Sequence, residues 1–333
     1  MKCAARIILL LFMASLLNQC AKETQTSENQ PNNIFASRPP VSAPELFGPN
    51  FISTNLYERD FALDHDGKTL YYTLQAGRTV VIVSVKQNAD GEWGEPEIAP
   101  FSGQYRDLEP IFSPDGKRLY FASNRPLQAD GKAKDYDIWF VERTETGWGG
   151  PQNPGAPLNT EGNEFYPSLT HNGKIYITAK REGGLGGEDV VFFERRGDKW
   201  DGPSNPGEAI NSARDEFNAY VAADDSFLMF SSFGREDGLG GGDLYIAFRG
   251  EDGAWQKAKN MGEKINSNAL DFCPSVSPDG KIFFFTSQRT SPELGSDTKK
   301  NFKGLVSAMN APGNGGGDIY WLDFNVIAQM KNE

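Results

Sequence analysis

Five acidic residues stand nine positions ahead of five hairpin turns: Glu58, Asp107, Glu164, Glu216 and Asp271 precede positions 67, 116, 173, 225 and 280. Carboxylates at one phase of a repeat fall at one level of whatever the repeats build. Such a ring could bind a cation such as calcium through its oxygens, or the amines of a peptide. Mutual repulsion would raise some of its pKa values, which is one route to an acid catalyst. The competing reading is structural. Arg125, Arg181, Arg235 and Arg289 fall at or near the end of the following strand, which returns to the acid's end. Each acid–arginine pair would then clamp its own repeat. The first repeat offers only Gln75 and Arg78 near that place, so Glu58 is the acid expected to be free.

Other reactive chemistry is sparse. His65 and His171 are the only histidines, and Cys3, Cys20 and Cys273 the only cysteines, which argues against a zinc site. No Gly-x-Ser-x-Gly elbow occurs, and neither histidine sits in a motif that would pair it with a serine or with Cys273. Cys273 aligns with apolar or aromatic positions of other repeats, which reads as a buried structural thiol. His171 occupies a turn and is expected to face solvent. Glycine-rich stretches end in an aspartate at Gly183–Asp189, Gly238–Asp243 and Gly315–Asp318. They join strand to strand with no helix behind them, so a tight connection is a better account than a phosphate cradle. The aspartate at each end would hold backbone amides.

The elements that must position these residues are repeats. The clearest runs from Glu109 to Arg125 around Ser113-Pro114-Asp115-Gly116-Lys117, and it recurs at Ser277-Pro278-Asp279-Gly280-Lys281. Weaker copies centre on Asp66-Gly67-Lys68 and Asn172-Gly173-Lys174, and the weakest on Asp224-Asp225. The turn positions are spaced by 49, 57, 52 and 55 residues. A strand, a tight turn and an alternating aromatic strand make a hairpin. Asp137, Asp189, Asp243 and Asp318 each open a third strand, and Trp93, Trp148, Trp200 and Trp255 mark a fourth. Four strands at this period form the blade of a propeller.

The unit resembles the WD40-like repeat of the TolB propeller type, through its Ser-Pro-Asp-Gly-Lys turn and the Ser-x-Arg that follows. The resemblance spans about residues 45–323, and similar repeats occur in envelope-associated proteins of Gram-negative bacteria. The last repeat ends after its third strand at Tyr320–Phe324, while Pro44–Ile52 occupies the phase of a fourth strand before the first hairpin. An N-terminal strand completing the last blade would leave no open edge. The expectation is an all-β chain, a β-propeller of five four-stranded antiparallel blades over residues 44–326, with a tail at 327–333. Six blades is the alternative.

Composition agrees with many short strands: aromatics are 12% of residues, with 36 glycines and 20 prolines. A net charge of −12 opposes sequence-independent binding of nucleic acid or of an anionic membrane surface. Residues 1–19 read as an export signal, with Lys2 and Arg6 ahead of an apolar Ile7–Leu17. Leu17-Asn18-Gln19-Cys20 resembles a bacterial lipobox, which implies lipidation at Cys20; Gln19 departs from the small residue usual there. Residues 20–43, rich in Ser, Asn, Gln and Pro, read as a flexible tether. Ala21 after the cysteine implies outer-membrane sorting in a Gram-negative cell.

The fifth repeat carries an insertion, Thr290–Asn314, of a length that often serves binding. Taken together, these features suit a tethered, non-catalytic module of the cell envelope that recognises a protein, peptide or glycan on one face of its ring. The alternative is a carbohydrate-active enzyme using carboxylates at the channel mouth, as glycosidases on five-bladed propellers do. No cofactor is implied beyond the calcium that an acid ring would admit.

Overall fold

The structure is a computed structural model and describes residues 34–35, 37–128, 131–197, 199–295 and 301–331. The signal segment, Cys20 and most of the tether lie outside the described residues. A two-residue strand, β1 (Glu45–Leu46), opens the fold. Blade one contains β2 (Tyr57–Leu63), β3 (Thr69–Ala76), β4 (Thr79–Lys86) and β5 (Glu97–Ile98). Blade two contains β6 (Asp107–Phe112), β7 (Arg118–Ser123), β8 (Asp137–Thr144) and β9 (Gly147–Trp148). Blade three contains β10 (Glu164–Leu169), β11 (Lys174–Ala179), β12 (Asp189–Arg196) and β13 (Lys199–Ser204). Blade four contains β14 (Asp215–Val221), β15 (Phe227–Phe233), β16 (Asp243–Phe248) and β17 (Lys259–Asn260). Blade five contains β18 (Asp271–Val276), β19 (Ile282–Ser287) and β20 (Asp318–Asp323).

Every pairing is antiparallel, and β1 adds to β20 through Glu45 opposite Trp321 and Leu46 opposite Tyr320. The N-terminal strand therefore closes the ring, and there are five blades. Closure protects the strand edge that blade five would otherwise expose.

The second and third strands are buried almost continuously, as in Ile282–Ser287 and Asp243–Phe248, because both faces of each blade are covered by its neighbours. Between blades five and one, Phe47 lies 5.2 Å from the rings of Phe61, Phe284 and Trp321. Burying a side chain of this size contributes roughly 1.5–3 kcal/mol. Ile34 is buried in the same cluster and Phe35 packs on Phe47 and Trp93, so the described end of the expected tether rests on the propeller. The C-terminal end behaves alike. A single-turn helix, Asn325–Ala328, buries Ile327 against the core between blades four and five.

Blades are also joined by polar contacts that their repetition makes visible. Asn159 accepts from the Ile138 amide at 2.8 Å and donates to its carbonyl at 2.9 Å. Asn211 does the same to Val190, and Asn266 to Leu244. Each asparagine stands in the segment entering one blade and binds the third strand of the blade before. At the seam, Ser53 replaces asparagine and bonds Ile319.

The insertion contains a helix, α1 (Phe302–Met309), with no buried residue. Its ends meet where Thr290 bridges Asn314. Among the described residues, no helix is long and apolar enough to cross a membrane.

Candidate functional site

Each of the five repeated acids begins or nearly begins an innermost strand, and each is buried, at 0–1% exposure. Asp107 accepts from Arg125 at 2.7 Å, Ser123 at 2.6 Å and Ser102 at 2.9 Å. Glu164 pairs with Arg181, Glu216 with Arg235 and Asp271 with Arg289, at 2.7–2.8 Å. The same arginines reach back to the carbonyls of Phe101, Leu158, Ile210 and Ile265 in the segments entering their blades. A hydroxyl from that segment completes each site: Ser102, Thr160, Ser212 and Ser267. The four pairs thus tie the start of each inner strand to the chain that delivers it.

Glu58 has no arginine. It accepts from the Thr54 hydroxyl at 2.5 Å and the Thr54 amide at 3.1 Å, and burial raises its pKa. The five carboxylates are not brought together. Each stays within its own blade, and among the described residues no three His, Cys, Asp or Glu side chains are placed to hold a metal ion.

Two residues further along each inner strand the backbone bulges. Pairing slips between Arg59 and Ala62, Leu108 and Ile111, Phe165 and Ser168, Phe217 and Tyr220, and Phe272 and Ser275. At the slip Asp60, Glu109, Tyr166, Asn218 and Cys273 all adopt the left-handed conformation, with φ of 49–63°. A bulge of this kind re-aims a side chain. Here it aims five at one another. Cys273 therefore corresponds to Asp60, Glu109, Tyr166 and Asn218, not to apolar positions, although its thiol is buried at 1% exposure.

Arg59 organises this axis. Its guanidinium donates to Asp60 at 3.0 Å, Glu109 at 2.9 Å and the Cys273 sulfur at 3.3 Å. Glu109 also accepts from Asn218 at 3.2 Å and from the Tyr166 amide at 2.7 Å. The Tyr166 hydroxyl donates to the Pro274 carbonyl at 2.9 Å. Burial pushes the Glu109 carboxyl up to about 8 against the pull of Arg59. Burial likewise pushes the Cys273 thiol up, away from the reactive thiolate.

The axial plug separates two mouths. At the strand-start end lies an open cup of about 360 Å³, with Arg59 and Glu109 in its lining. Tyr57, Tyr136, Phe165, Phe217 and Phe272 supply aromatic surface, and Arg106 and Glu188 supply charge. Arg59 stacks over Phe272 at 5.1 Å. Arg106 donates to the Tyr136 hydroxyl at 2.7 Å and the Arg78 carbonyl at 2.6 Å. At the turn end, a cavity of about 450 Å³ is walled by apolar residues including Ile111, Leu169 and Val276, with His65 and the exposed His171 beside them.

A third cleft of about 590 Å³ joins blades two and three and is lined by Arg118, Arg143 and Lys174. Arg118, Arg143 and Lys174 there are matched to Glu142, Asp64 and Asp225.

The loops around the cup carry exposed apolar side chains. Leu56, Leu127, Leu185 and Leu239 are 40–66% exposed, one in each of blades one to four. In blade five the helix α1 turns out Phe302, Leu305, Val306 and Met309, with Phe302 at 83% exposure. Strand registers place all five loops at the acid end: Asp107 opposes Ser123, which opposes Asp137, and the other blades follow suit. The glycine-rich loops end as expected, with Asp189 accepting from the Leu185 and Gly186 amides and Asp243 from Leu239.

Arg59, Glu109, Arg106 and Glu188 were not singled out by spacing. For Glu109 the signal is the reverse of repetition: two residues after each acid, at Asp60, Glu109, Tyr166, Asn218 and Cys273, the residue types diverge, whereas no repeat position marks Arg59, Arg106 or Glu188.

No protein-family model matches the chain, and no curated protein sequence matches it. Among solved structures it is similar to TolB from Acinetobacter baumannii, at 13% identity and a TM-score of 0.43 over 79% of this chain and 53% of that one. It is also similar to the catalytic domain of a Coprinopsis cinerea GH62 α-L-arabinofuranosidase, at 9% identity and 0.49 over 86% and 98%. A GH43 endo-arabinanase from Bacillus licheniformis aligns at 12% identity and 0.45 over 80% and 93%. At these identities the likeness is one of propeller fold.

Proposed function

We propose that this protein is a non-catalytic binding module of the bacterial envelope, held to a membrane through lipid on Cys20, that captures a protein partner at the strand-start mouth. One observation carries the reading: exposed apolar side chains from all five blades stand in loops at the end of the ring where the cup opens. Apolar surface concentrated on one face, around a concave centre, suits a protein interface. The repeated carboxylates, by contrast, have internal partners and serve the scaffold in this reading.

The test is crosslinking of the full-length protein in its native envelope, followed by mass spectrometry of what co-purifies. A dominant protein partner lost in a Leu127→Lys/Leu239→Lys variant, and released from the membrane in Cys20→Ala, is the expected result. Capture unchanged by the double lysine variant would remove this face from consideration.

A second reading, a carbohydrate-active enzyme, draws on Glu109, a carboxyl raised to about 8 beside the cup. A general acid needs such a value. All three donors to Glu109 occupy its oxygens, however, which favours a structural role. Release of sugars from a glycan panel, abolished in Glu109→Gln, would support the enzyme; no release from any glycan would leave the binding module.

A further inference from the structure

Glu188 is the charge in the cup that has no answering charge. Its side chain is half-buried and lines the cavity, yet no ion pair or side-chain hydrogen bond holds its carboxylate among the described residues. The two cations nearby are otherwise engaged. Arg59 is matched to Asp60 and Glu109 at 2.9 Å each, and Arg106 is turned toward Tyr136 and the Arg78 carbonyl. Asp215, whose oxygen accepts from the Glu188 amide at 2.9 Å, adds a further negative charge behind it. Burying a carboxylate beside another without a counter-ion is costly, and it raises the Glu188 pKa.

The surroundings say what would relieve that cost. Phe165 and Phe217 line the cup with Glu188, and the amide of Glu216, next to Phe217, donates to the Glu188 carbonyl at 2.9 Å. Aromatic faces attract cations through their quadrupoles, and a carboxylate beside them adds the counter-charge. A net charge of −12 draws cations toward the molecule before contact.

Building on the binding-module reading above, we propose that the cup receives a cationic side chain of the partner, a lysine or arginine, against Phe165 and Phe217 with Glu188 as its counter-ion. The apolar loops around the cup would then dock the residues flanking that cation.

The test separates the cup from the face. Titrating the full chain with n-butylguanidinium, n-butylammonium, n-butanol and butyrate, followed by NMR, asks whether the cup selects charge. The expected result is saturable binding of both cations, with phenylalanine signals shifting, and binding of the alcohol and the acid at least tenfold weaker. Glu188→Gln should weaken cation binding about tenfold, while Glu161→Gln, an exposed acid outside the cup, leaves it unchanged. Equal binding of the alcohol, or cation binding undiminished in Glu188→Gln, overturns the inference. If cation selectivity is absent but the double lysine variant still abolishes partner capture, the cup inference falls and the face reading stands. If the cations bind but capture survives the double lysine variant, the face reading falls instead.

Discussion

Asp107 and Glu109 are both buried carboxylates on β6, two residues apart, and they are held in different ways. Asp107 faces its own blade, where Arg125, Ser123 and Ser102 surround it. Glu109, thrown inward by the bulge, bonds three other blades through Arg59, Tyr166 and Asn218, and Arg59 carries the contact on to Cys273 of the fourth. The first arrangement recurs in blades two to five, because any blade must anchor its entering chain. The second occurs once, because five bulge residues share one axis and cannot all be acids. Fourfold repetition therefore reports on the scaffold, and divergence at the same depth reports on what is particular to this molecule.

The comparison breaks most sharply at the clamp. Arg125→Met should leave Asp107 buried without a cation and destabilise the protein by about 3–5 kcal/mol, as loss of one partner of a buried pair does. Chemical unfolding measures it, and a cost below 1 kcal/mol would mean the pair does not anchor the blade.

At two buried carboxyls, Glu109 on the axis and Asp318 at the start of β20, the expected effect depends on pH. Glu109 at about 8 and Asp318 at about 7, both raised chiefly by burial, keep their protons in the folded state at pH values where the unfolded chain has lost them. Their contribution is fully present below the unfolded carboxyl range and is lost as pH rises through 7 and 8. The unfolding midpoint should therefore fall between pH 5 and 8.5, and Glu109→Gln should make that fall shallower. An unchanged slope in the variant would assign the dependence elsewhere.

Blade one sharpens the comparison because its acid lacks the arginine. Glu58→Gln keeps the hydrogen bond of the Thr54 hydroxyl and leaves no cation behind, so it should cost about 1 kcal/mol. Asp271→Asn, which strands Arg289, should cost more. Equal losses would show that the arginine adds nothing to the acid's own hydrogen bonds.

The smallest effect belongs to the insertion. Deleting Pro292–Ala311 removes α1, which buries no residue, and the flanking Thr290 and Asn314 already meet. Stability should change by less than about 0.5 kcal/mol, the usual range for surface changes. Loss of partner capture in the same deletion would place α1 in the interface.

The acid–arginine pairing is legible because the acid stands nine residues before the turn in every repeat and the arginine eight to ten residues after it in four of them. The blade-joining asparagines were equally periodic, as Leu158-Asn159-Thr160, Ile210-Asn211-Ser212 and Ile265-Asn266-Ser267. They escaped notice because a short polar residue before a strand reads as a turn. Cys273 stands seven residues before its turn, as Asp60, Glu109, Tyr166 and Asn218 do, so its correspondence is legible from the turn count; that the five side chains meet is not, because a bulge re-aims them.

From the amino-acid order alone came the repeat, the five-blade count and the strand that closes the ring. These follow from short-range signals: turn residues, alternation and a constant period. Which carboxylates answer to an arginine beside them was also within reach, since both partners lie in one hairpin. Only the tertiary structure decided that Asp60, Glu109, Tyr166, Asn218 and Cys273 meet, and that Glu188 stands without a cation beside the aromatic cup. Those contacts join residues from different blades, up to 214 positions apart between Arg59 and Cys273. Their geometry depends on ring closure and on a bulge in every inner strand, which no local pattern encodes.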